Sequence, residues 1–174
     1  MKTSHWVLVL GMCLVLVPGS LMAQNFLAEA DAAYGDGGLA NAQKAIPLYL
    51  KAVEANPGDY EANWKSARAH REYGNKAKRK KDEGWEYICN EYGKAGMIFA
   101  QQAMEVAPDK VEGHYYFGLS VGTYSDGVSI LKAIKEGLKN KTQSSFEKAY
   151  ERDKMYNDAG PVLSLGRFWS VLPW

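Results

Sequence analysis

Histidine and cysteine, which often serve in catalysis and metal binding, are scarce in this 174-residue chain. It has three histidines and two cysteines, and His5 and Cys13 fall in an N-terminal segment that we expect to be removed. His70 and His114 do not have the spacing of zinc ligands. Cys89 is then alone and cannot form an intramolecular disulfide, which excludes a disulfide-stabilised scaffold. We interpret Cys89 as a buried thiol acting as a small hydrophobic side chain, with a reactive cysteine as the alternative.

Motifs for phosphate binding and nucleophilic catalysis are also missing. The glycines of the segment 35–38 are not followed by the lysine of a phosphate-binding loop, and no serine lies in a nucleophile elbow. The formal net charge is only +1, so no strong field attracts the chain to nucleic acid. The sequence therefore predicts a protein that is not an enzyme, requires no cofactor or metal and does not bind nucleic acid.

The N-terminus has the layout of a secretory signal peptide. Lys2 precedes an apolar run from Trp6 to Val17, and a small residue, Ala23, follows shortly after the run ends. The run is shorter than the roughly 20 residues that a membrane-spanning helix needs. We therefore predict a signal peptide over residues 1–23, cleavage after Ala23, and a periplasmic or secreted mature domain over residues 24–174 with no membrane span.

A pattern of small and bulky residues recurs in the rest of the chain. Its steps of four, three and five residues place the first three members on one stripe of a helix, and a proline ends that helix. The two full copies are Ala45, Tyr49, Ala52, Pro57 and Gly96, Ala100, Ala103, Pro108; a partial copy is Thr142, Phe146, Ala149, with Lys154 in the position of the proline. This pattern resembles the second helix of a tetratricopeptide repeat.

The first helix of each repeat should follow each stop. Trp64 lies at the expected place after Pro57, and the pairs Phe117-Gly118 and Leu165-Gly166 match the Leu-Gly pair that allows the two helices of a repeat to approach closely. We predict an all-α fold, a solenoid of tetratricopeptide-like helical hairpins with about three and a half repeats. Residues 26–34 would form its first helix.

Two of the repeats are longer than the usual length of about 34 residues, and the additional residues lie in two segments. The first, Gly74 to Tyr87, contains a basic run from Lys76 to Lys81, which we interpret as a solvated loop, with a contact to an acidic partner or lipid headgroups as the alternative. The second runs from Gly122 to about Gln143 and has apolar residues at roughly helical spacing. There we predict an extra helix packed on the solenoid.

An ordered set of motifs in the second half of the chain gives a closer resemblance. It consists of Glu112-Gly113-His114-Tyr115-Tyr116, Gly122, an amphipathic stretch to Leu138, Ala149, Leu165-Gly166-Arg167 and a closing Leu-Pro-Trp. The set is similar to the TatT family, the tetratricopeptide accessory component of bacterial TRAP transporters. It also resembles the repeat domain of the regulator of microtubule dynamics proteins. The TatT resemblance implies a periplasmic, oligomeric protein that associates with a solute-binding protein.

A binding face is expected on the concave side of the solenoid, which the first helices line. We assign Trp64 and His114 to the core. The residues that follow them, and those a turn or two further along each helix, should face the concave side, as should the equivalent residues of the last helix. The candidate partner-binding residues are Lys65, Glu72, Tyr115, Leu119, Leu163 and Arg167.

The expected function is an exported, non-catalytic protein–protein interaction scaffold, in particular an accessory component of a TRAP-type uptake system. Its partner would be a protein, such as a periplasmic solute-binding protein, or a second copy of the chain. The alternatives are a structural or assembly subunit of an extracellular or envelope complex and a carrier of a hydrophobic ligand.

Overall fold

The computed structural model describes residues 18–35 and 39–171, which form eight helices and no strand within those ranges. The prediction of an all-α fold is therefore confirmed. The helices are α1 (Pro18–Tyr34), α2 (Leu39–Ala55), α3 (Tyr60–Lys80), α4 (Trp85–Val106), α5 (Val111–Asp126), α6 (Ile130–Lys135), α7 (Leu138–Asp153) and α8 (Tyr156–Ser170).

Successive helices pack as hairpins, as in a helical repeat. Helix α1 packs on α2, α3 on α4, and α5 on α7, while α8 packs on α7 without a following helix in the described part of the chain. The predicted stops lie between the hairpins: Pro57 follows α2, and Pro108 follows α4. The first helices of the hairpins, α1, α3 and α5, contribute the candidate binding face.

Glycine and alanine allow these helices to approach each other closely. The Phe117-Gly118 prediction is confirmed, because a Cβ atom built on Gly118 would lie 2.6 Å from the Phe146 ring of the paired helix α7. At Gly166 a built Cβ atom would meet nothing within 4 Å. This difference follows from the architecture, since no described helix pairs with α8 in the way that α7 pairs with α5.

The interpretation of the basic run as a loop is wrong. Helix α3 continues through it to Lys80 and ends at Lys81, which adopts a left-handed conformation. Lysine and arginine are good helix formers, and the buried residues Gly74 and Ala77 give the extension a packed face. The extra length of the second repeat is therefore added to the hairpin itself.

The predicted extra helix is present as α6, but its packing differs from the expectation. Val128 and Leu138, which flank it, pack against the core. The aliphatic side chains of α6 itself, Ile130, Leu131 and Ile134, are exposed.

The predicted signal peptide falls mainly outside the described residues. Within them, Pro18 to Ala23 form the start of α1, and the Ala23 side chain is buried. The predicted cleavage site after Ala23 therefore lies inside this helix. The closing Trp174 and most of the first predicted turn, residues 36–38, also lie outside the described residues. Among the described helices, none has the length and apolar character needed to cross a membrane.

Candidate functional site

Helices α1, α3 and α5 line a cavity of about 550 Å³, and Asn157 of α8 closes one side. We call this the polar groove, because tyrosine and charged side chains form most of its wall. Its lining residues are Asp31, Tyr34, Gly35, Lys65, Arg68, Arg71, Glu72, Tyr115, Tyr116, Leu119 and Asn157.

The structure brings four of the six predicted site residues together here: Lys65, Glu72, Tyr115 and Leu119. Arg167 lines a second cavity described below. Leu163 lines neither cavity, and its side chain is 66% exposed. The predicted residues of α3 and α5 therefore lie together, whereas those of α8 lie apart from them.

Tyr115 is more buried than its predicted place on an open face implies. It is only 6% exposed, and its ring packs against the rings of Phe146 and Tyr156, with centroids 6.4 Å and 5.5 Å away. Of the two residues assigned to the core, one is buried as expected and the other only partly. His114 is buried, whereas Trp64 is half-buried and stacks on Tyr116 with ring centroids 5.7 Å apart.

Burial of Tyr115 depends on an unusual turn at the start of α8. Asn157, Asp158 and Ala159 all have positive φ angles, from 50° to 59°. This turn brings Gly160 so close to Tyr115 that a Cβ atom there would lie 2.5 Å from the Tyr115 hydroxyl oxygen. It also places Asn157 in the wall of the polar groove, with its Nδ2 donating to the Tyr115 hydroxyl at 3.5 Å.

The carboxylates of the polar groove are already engaged. Asp31 accepts a hydrogen bond from the Tyr49 hydroxyl at 2.8 Å and forms a salt bridge with Lys65 at 2.8 Å. Glu72 accepts a hydrogen bond from the Tyr34 hydroxyl. Burial, together with these acidic neighbours, raises the pKa values of Tyr34 and Tyr49, so both hydroxyls remain donors at physiological pH.

The positive charge of Lys65 is neutralised by carboxylates. In addition to Asp31, its ammonium group contacts Glu61 at 2.7 Å. Burial disfavours the charged ammonium, but the hydrogen bonds to the two carboxylates outweigh it and raise the pKa of Lys65. Lys65 is therefore a structural link between α1 and α3, with little charge left for a ligand.

Two arginines in the wall of the polar groove, Arg68 and Arg71, differ from Lys65 in having no carboxylate partner among the described residues. Neither was among the site residues predicted from the sequence. Neither Arg68 nor Arg71 forms a salt bridge within the described residues, and the buried Nε atom of each has no hydrogen-bond partner there. The Arg68 guanidinium lies 4.0 Å from the Tyr34 ring centroid and donates to the Tyr49 hydroxyl at 3.3 Å. Aromatic faces hold its plane in position without neutralising its charge.

A signal for Arg68 was present in the sequence. Lys65, Arg68 and Glu72 are separated by three and four residues, so they lie on one stripe of a helix. The count that selected Lys65 and Glu72 passed over the residue between them.

A second cavity, of about 480 Å³, adjoins the polar groove, because Arg71 and Leu119 line both. We call it the apolar pocket. Its apolar wall includes Leu119, Phe146, Phe168 and Val171. Its charged lining residues are Arg71, Lys78, Arg79, Asp126 and Arg167, and Asp126 is paired with Lys78 at 2.6 Å.

The remaining residues considered for chemistry have structural roles. His70 and His114 donate to the backbone carbonyls of Ser66 and Pro108, at 2.8 Å and 2.9 Å, and burial lowers the pKa of both rings. Cys89 is buried, as predicted, and burial raises the pKa of its thiol to about 11. No cluster of three or more potential metal ligands occurs in the described part of the chain.

Comparison with known proteins identifies the family. A family model described as regulator of microtubule dynamics protein 1-3 matches residues 26–170, which is most of the chain. The chain belongs to this family. The match confirms one of the two resemblances given by the sequence motifs and does not extend to the TatT family. No individual curated protein gives a significant match.

Proposed function

We propose that this protein is a non-catalytic interaction module whose groove binds an acidic segment of a partner protein. The observation that supports the proposal is the pair Arg68 and Arg71, which line the polar groove and have no carboxylate partner among the described residues. Of the two carboxylates in the same wall, Asp31 is paired with Lys65, and Glu72 accepts a hydrogen bond from the Tyr34 hydroxyl and keeps its charge. Three basic side chains, Lys65, Arg68 and Arg71, therefore face two acidic ones, Asp31 and Glu72, and the wall has an excess of one positive charge that an acidic ligand would match.

Arginine suits such a ligand because its planar guanidinium donates parallel hydrogen bonds to the two oxygens of a carboxylate. The polar groove has room for a few side chains of an extended segment but not for a folded domain. The apolar pocket next to Arg71 would accept an apolar side chain of the same segment. We therefore expect the preferred segment to combine acidic residues with an adjacent aromatic or aliphatic residue.

The test is binding of fluorescently labelled acidic decapeptides, compared with the same peptides in which every Glu is replaced by Gln. Arg71→Gln should weaken binding of the acidic peptides at least about tenfold, because a charge-assisted pair in a partly desolvated site is lost. Lys44→Gln, an exposed charge on α2 outside both cavities, is the matched control and should change binding little. Equal affinity for the Glu and Gln peptides would refute the proposal.

Tyr115→Ala is a poor probe of this groove. The side chain is buried among aromatic rings, so its removal would leave a cavity and cost about 3–5 kcal/mol of stability. Arg167→Gln is a better second variant, because Arg167 is exposed and lines only the apolar pocket. It should affect peptides that reach this pocket and spare shorter ones.

The finer proposal is that the module is exported and scaffolds a TRAP-type uptake complex. It is supported by the signal-peptide layout of residues 1–23 and by the resemblance of the sequence motifs to those of the TatT family. Affinity capture of the tagged protein from its own host, followed by mass spectrometry, tests it. Recovery of a periplasmic solute-binding protein with the wild type but not with Arg71→Gln supports the complex; recovery of cytoplasmic partners alone excludes it.

One observation favours a second candidate function, the carriage of a hydrophobic ligand. The apolar pocket has aromatic walls and a basic rim, which would suit an amphipathic anion. Native mass spectrometry of protein purified without detergent would reveal such a ligand as a mass added to the chain. Assembly by self-association, the remaining alternative, would appear as a concentration-dependent sedimentation coefficient.

A further inference from the structure

The segment around α6 exposes three neighbouring aliphatic side chains. Ile130, Leu131 and Ile134 are 79%, 80% and 72% exposed, more than most large hydrophobic residues in the described chain. They share one face of the short helix and line neither cavity. A contiguous apolar patch of this kind marks a surface that another body covers.

The opposite side of α6 is anchored, so the exposure of these side chains is built into the fold. Ser129 caps the helix by accepting from the Lys132 backbone nitrogen at 3.3 Å. Tyr124 donates to Glu136 at 3.3 Å, and the Lys132 ammonium lies 5.5 Å from the Tyr124 ring centroid. The half-buried Ala133 packs against the cluster of Val121, Tyr124 and Leu138.

Basic residues are close to the patch in the sequence. Between Ser129 and Lys141 the sequence contains Lys132, Lys135, Lys139 and Lys141 against a single acid, Glu136. All four lysines are exposed, and only Lys132 forms a salt bridge within the described residues, at 4.0 Å with Glu136. The segment therefore combines a protruding aliphatic tip with a surplus of positive charge.

We propose that this segment, residues 128–141, is a docking element that inserts its aliphatic tip into the surface of an anionic lipid membrane. Insertion would remove Ile130, Leu131 and Ile134 from water, while Lys135, Lys139 and Lys141 would contact negatively charged headgroups. The protein would then lie on the membrane through this tip, without any spanning helix being involved.

Charge argues against a second copy of the chain as the occupant. A symmetric dimer places the same patch of each copy face to face. The lysines of the two patches would then meet one another with no surplus of acids to neutralise them, which is unfavourable. An anionic bilayer supplies both the apolar layer and the opposite charge.

The experiment is co-flotation of the full chain with vesicles of phosphatidylcholine alone or with about 30% phosphatidylglycerol, an anionic lipid. The wild type should float with the anionic vesicles and bind the neutral ones less. The triple variant Ile130→Ser, Leu131→Ser, Ile134→Ser should reduce binding at least about tenfold. Lys135→Glu with Lys139→Glu should reduce binding to anionic vesicles by a similar factor.

Matched controls distinguish binding by this segment from non-specific hydrophobic adsorption and from loss of folding. Ile98→Ser with Val106→Ser removes exposed aliphatic side chains from α4 and should leave flotation unchanged. Since the three substituted residues of α6 are mostly exposed, the triple variant should keep the wild-type thermal midpoint. Wild-type flotation that the triple variant retains, or no flotation at all, would overturn the proposal. So would a dimer that the triple variant abolishes, because the occupant would then be a second copy.

Discussion

Replacement of Gly93 by alanine is the sharpest test of how this fold is packed. Gly93 lies inside α4 at its crossing with α5, and a Cβ atom built there would be 2.4 Å from the Tyr124 backbone nitrogen and 2.6 Å from its Cα. Real Cβ contacts are essentially never closer than 3.0 Å. The obstacle is backbone, which cannot rotate away as a side chain could, so the two helices would have to separate.

The size of the effect follows from two opposed contributions. Alanine favours the helix over glycine by about 1 kcal/mol, whereas overpacking a tight interface costs typically about 1–3 kcal/mol and sometimes more. Because the clash is with backbone, we take the upper part of that range and expect Gly93→Ala to lower the free energy of unfolding by about 2 kcal/mol. Gly122→Ala is the control: it lies inside α5 with nothing within 4 Å of the built Cβ atom, and it should stabilise by about 0.5–1 kcal/mol.

Urea unfolding followed by circular dichroism at 222 nm measures both variants under the same conditions. Linear extrapolation gives each free energy of unfolding, and an unchanged slope shows that the comparison is valid. If Gly93→Ala is as stable as the wild type or more stable, the close crossing of α4 and α5 is incorrect and the placement of Tyr115 and Leu119 on α5 must be revised.

Three further predictions follow from buried polar groups. Tyr49→Phe should lower the free energy of unfolding by about 1–2 kcal/mol, because the buried hydroxyl serves both Asp31 and Arg68; urea denaturation measures it, and no change would mean that water replaces both bonds. Stability should fall as pH drops below the ordinary histidine pKa of about 6.5, because burial lowers the pKa of His70 in the folded state and the unfolded chain takes up the proton first. His70→Gln should reduce the difference in stability between pH 7.5 and pH 5.5, and an unaltered difference would contradict this assignment. Cys89 should react with the thiol reagent DTNB at pH 8 only on unfolding, since the side chain is inaccessible and burial raises its pKa to about 11; rapid labelling of the native protein, compared with a Cys89→Ser blank, would show otherwise.

The repeat pattern was sufficient to predict the hairpins because it reports packing. Small residues such as Ala45, Ala52 and Ala100 are fully buried where neighbouring helices meet. Helices α2 and α4 end two residues before Pro57 and Pro108, as the pattern predicts, although α2 continues through Pro47. Helix lengths were harder to predict. The basic extension of α3 has few apolar residues, so hydrophobic periodicity indicated a loop, while the intrinsic helix propensity of lysine and arginine decided the outcome.

The polar groove was predicted only in part, because its charges depend on contacts between helices. Counting along a single helix found Lys65 and Glu72, but the state of each charge is set by other helices. On α1, Asp31 neutralises the charge of Lys65, and the Tyr34 hydroxyl donates a hydrogen bond to Glu72. Arg68 became significant only once the tyrosines around it were known.

The burial of Tyr115 could not be predicted from local sequence. It depends on three consecutive left-handed residues, of which Asn157 and Asp158 tolerate this conformation better than Ala159 does. For a residue other than glycine, the left-handed conformation costs about 1–2 kcal/mol. Tertiary contacts must offset that cost, and the turn brings one of them, the packing of Gly160 against Tyr115.

The candidate sites coincide with the places where the chain departs from a regular repeat. The extended α3 brings Lys78 and Arg79 to the apolar pocket, and the left-handed turn brings Asn157 to the polar groove. The inserted α6 carries the exposed aliphatic tip. An ordinary repeat would supply none of these features. The strained turn packs Gly160 against Tyr115, whereas the exposure of Ile130, Leu131 and Ile134 adds nothing to the packing of the hairpins. Replacement of the exposed aliphatic side chains of α6 should therefore leave the hairpins folded, whereas relaxing the turn should expose Tyr115 and also lower the free energy of unfolding, which urea denaturation would measure.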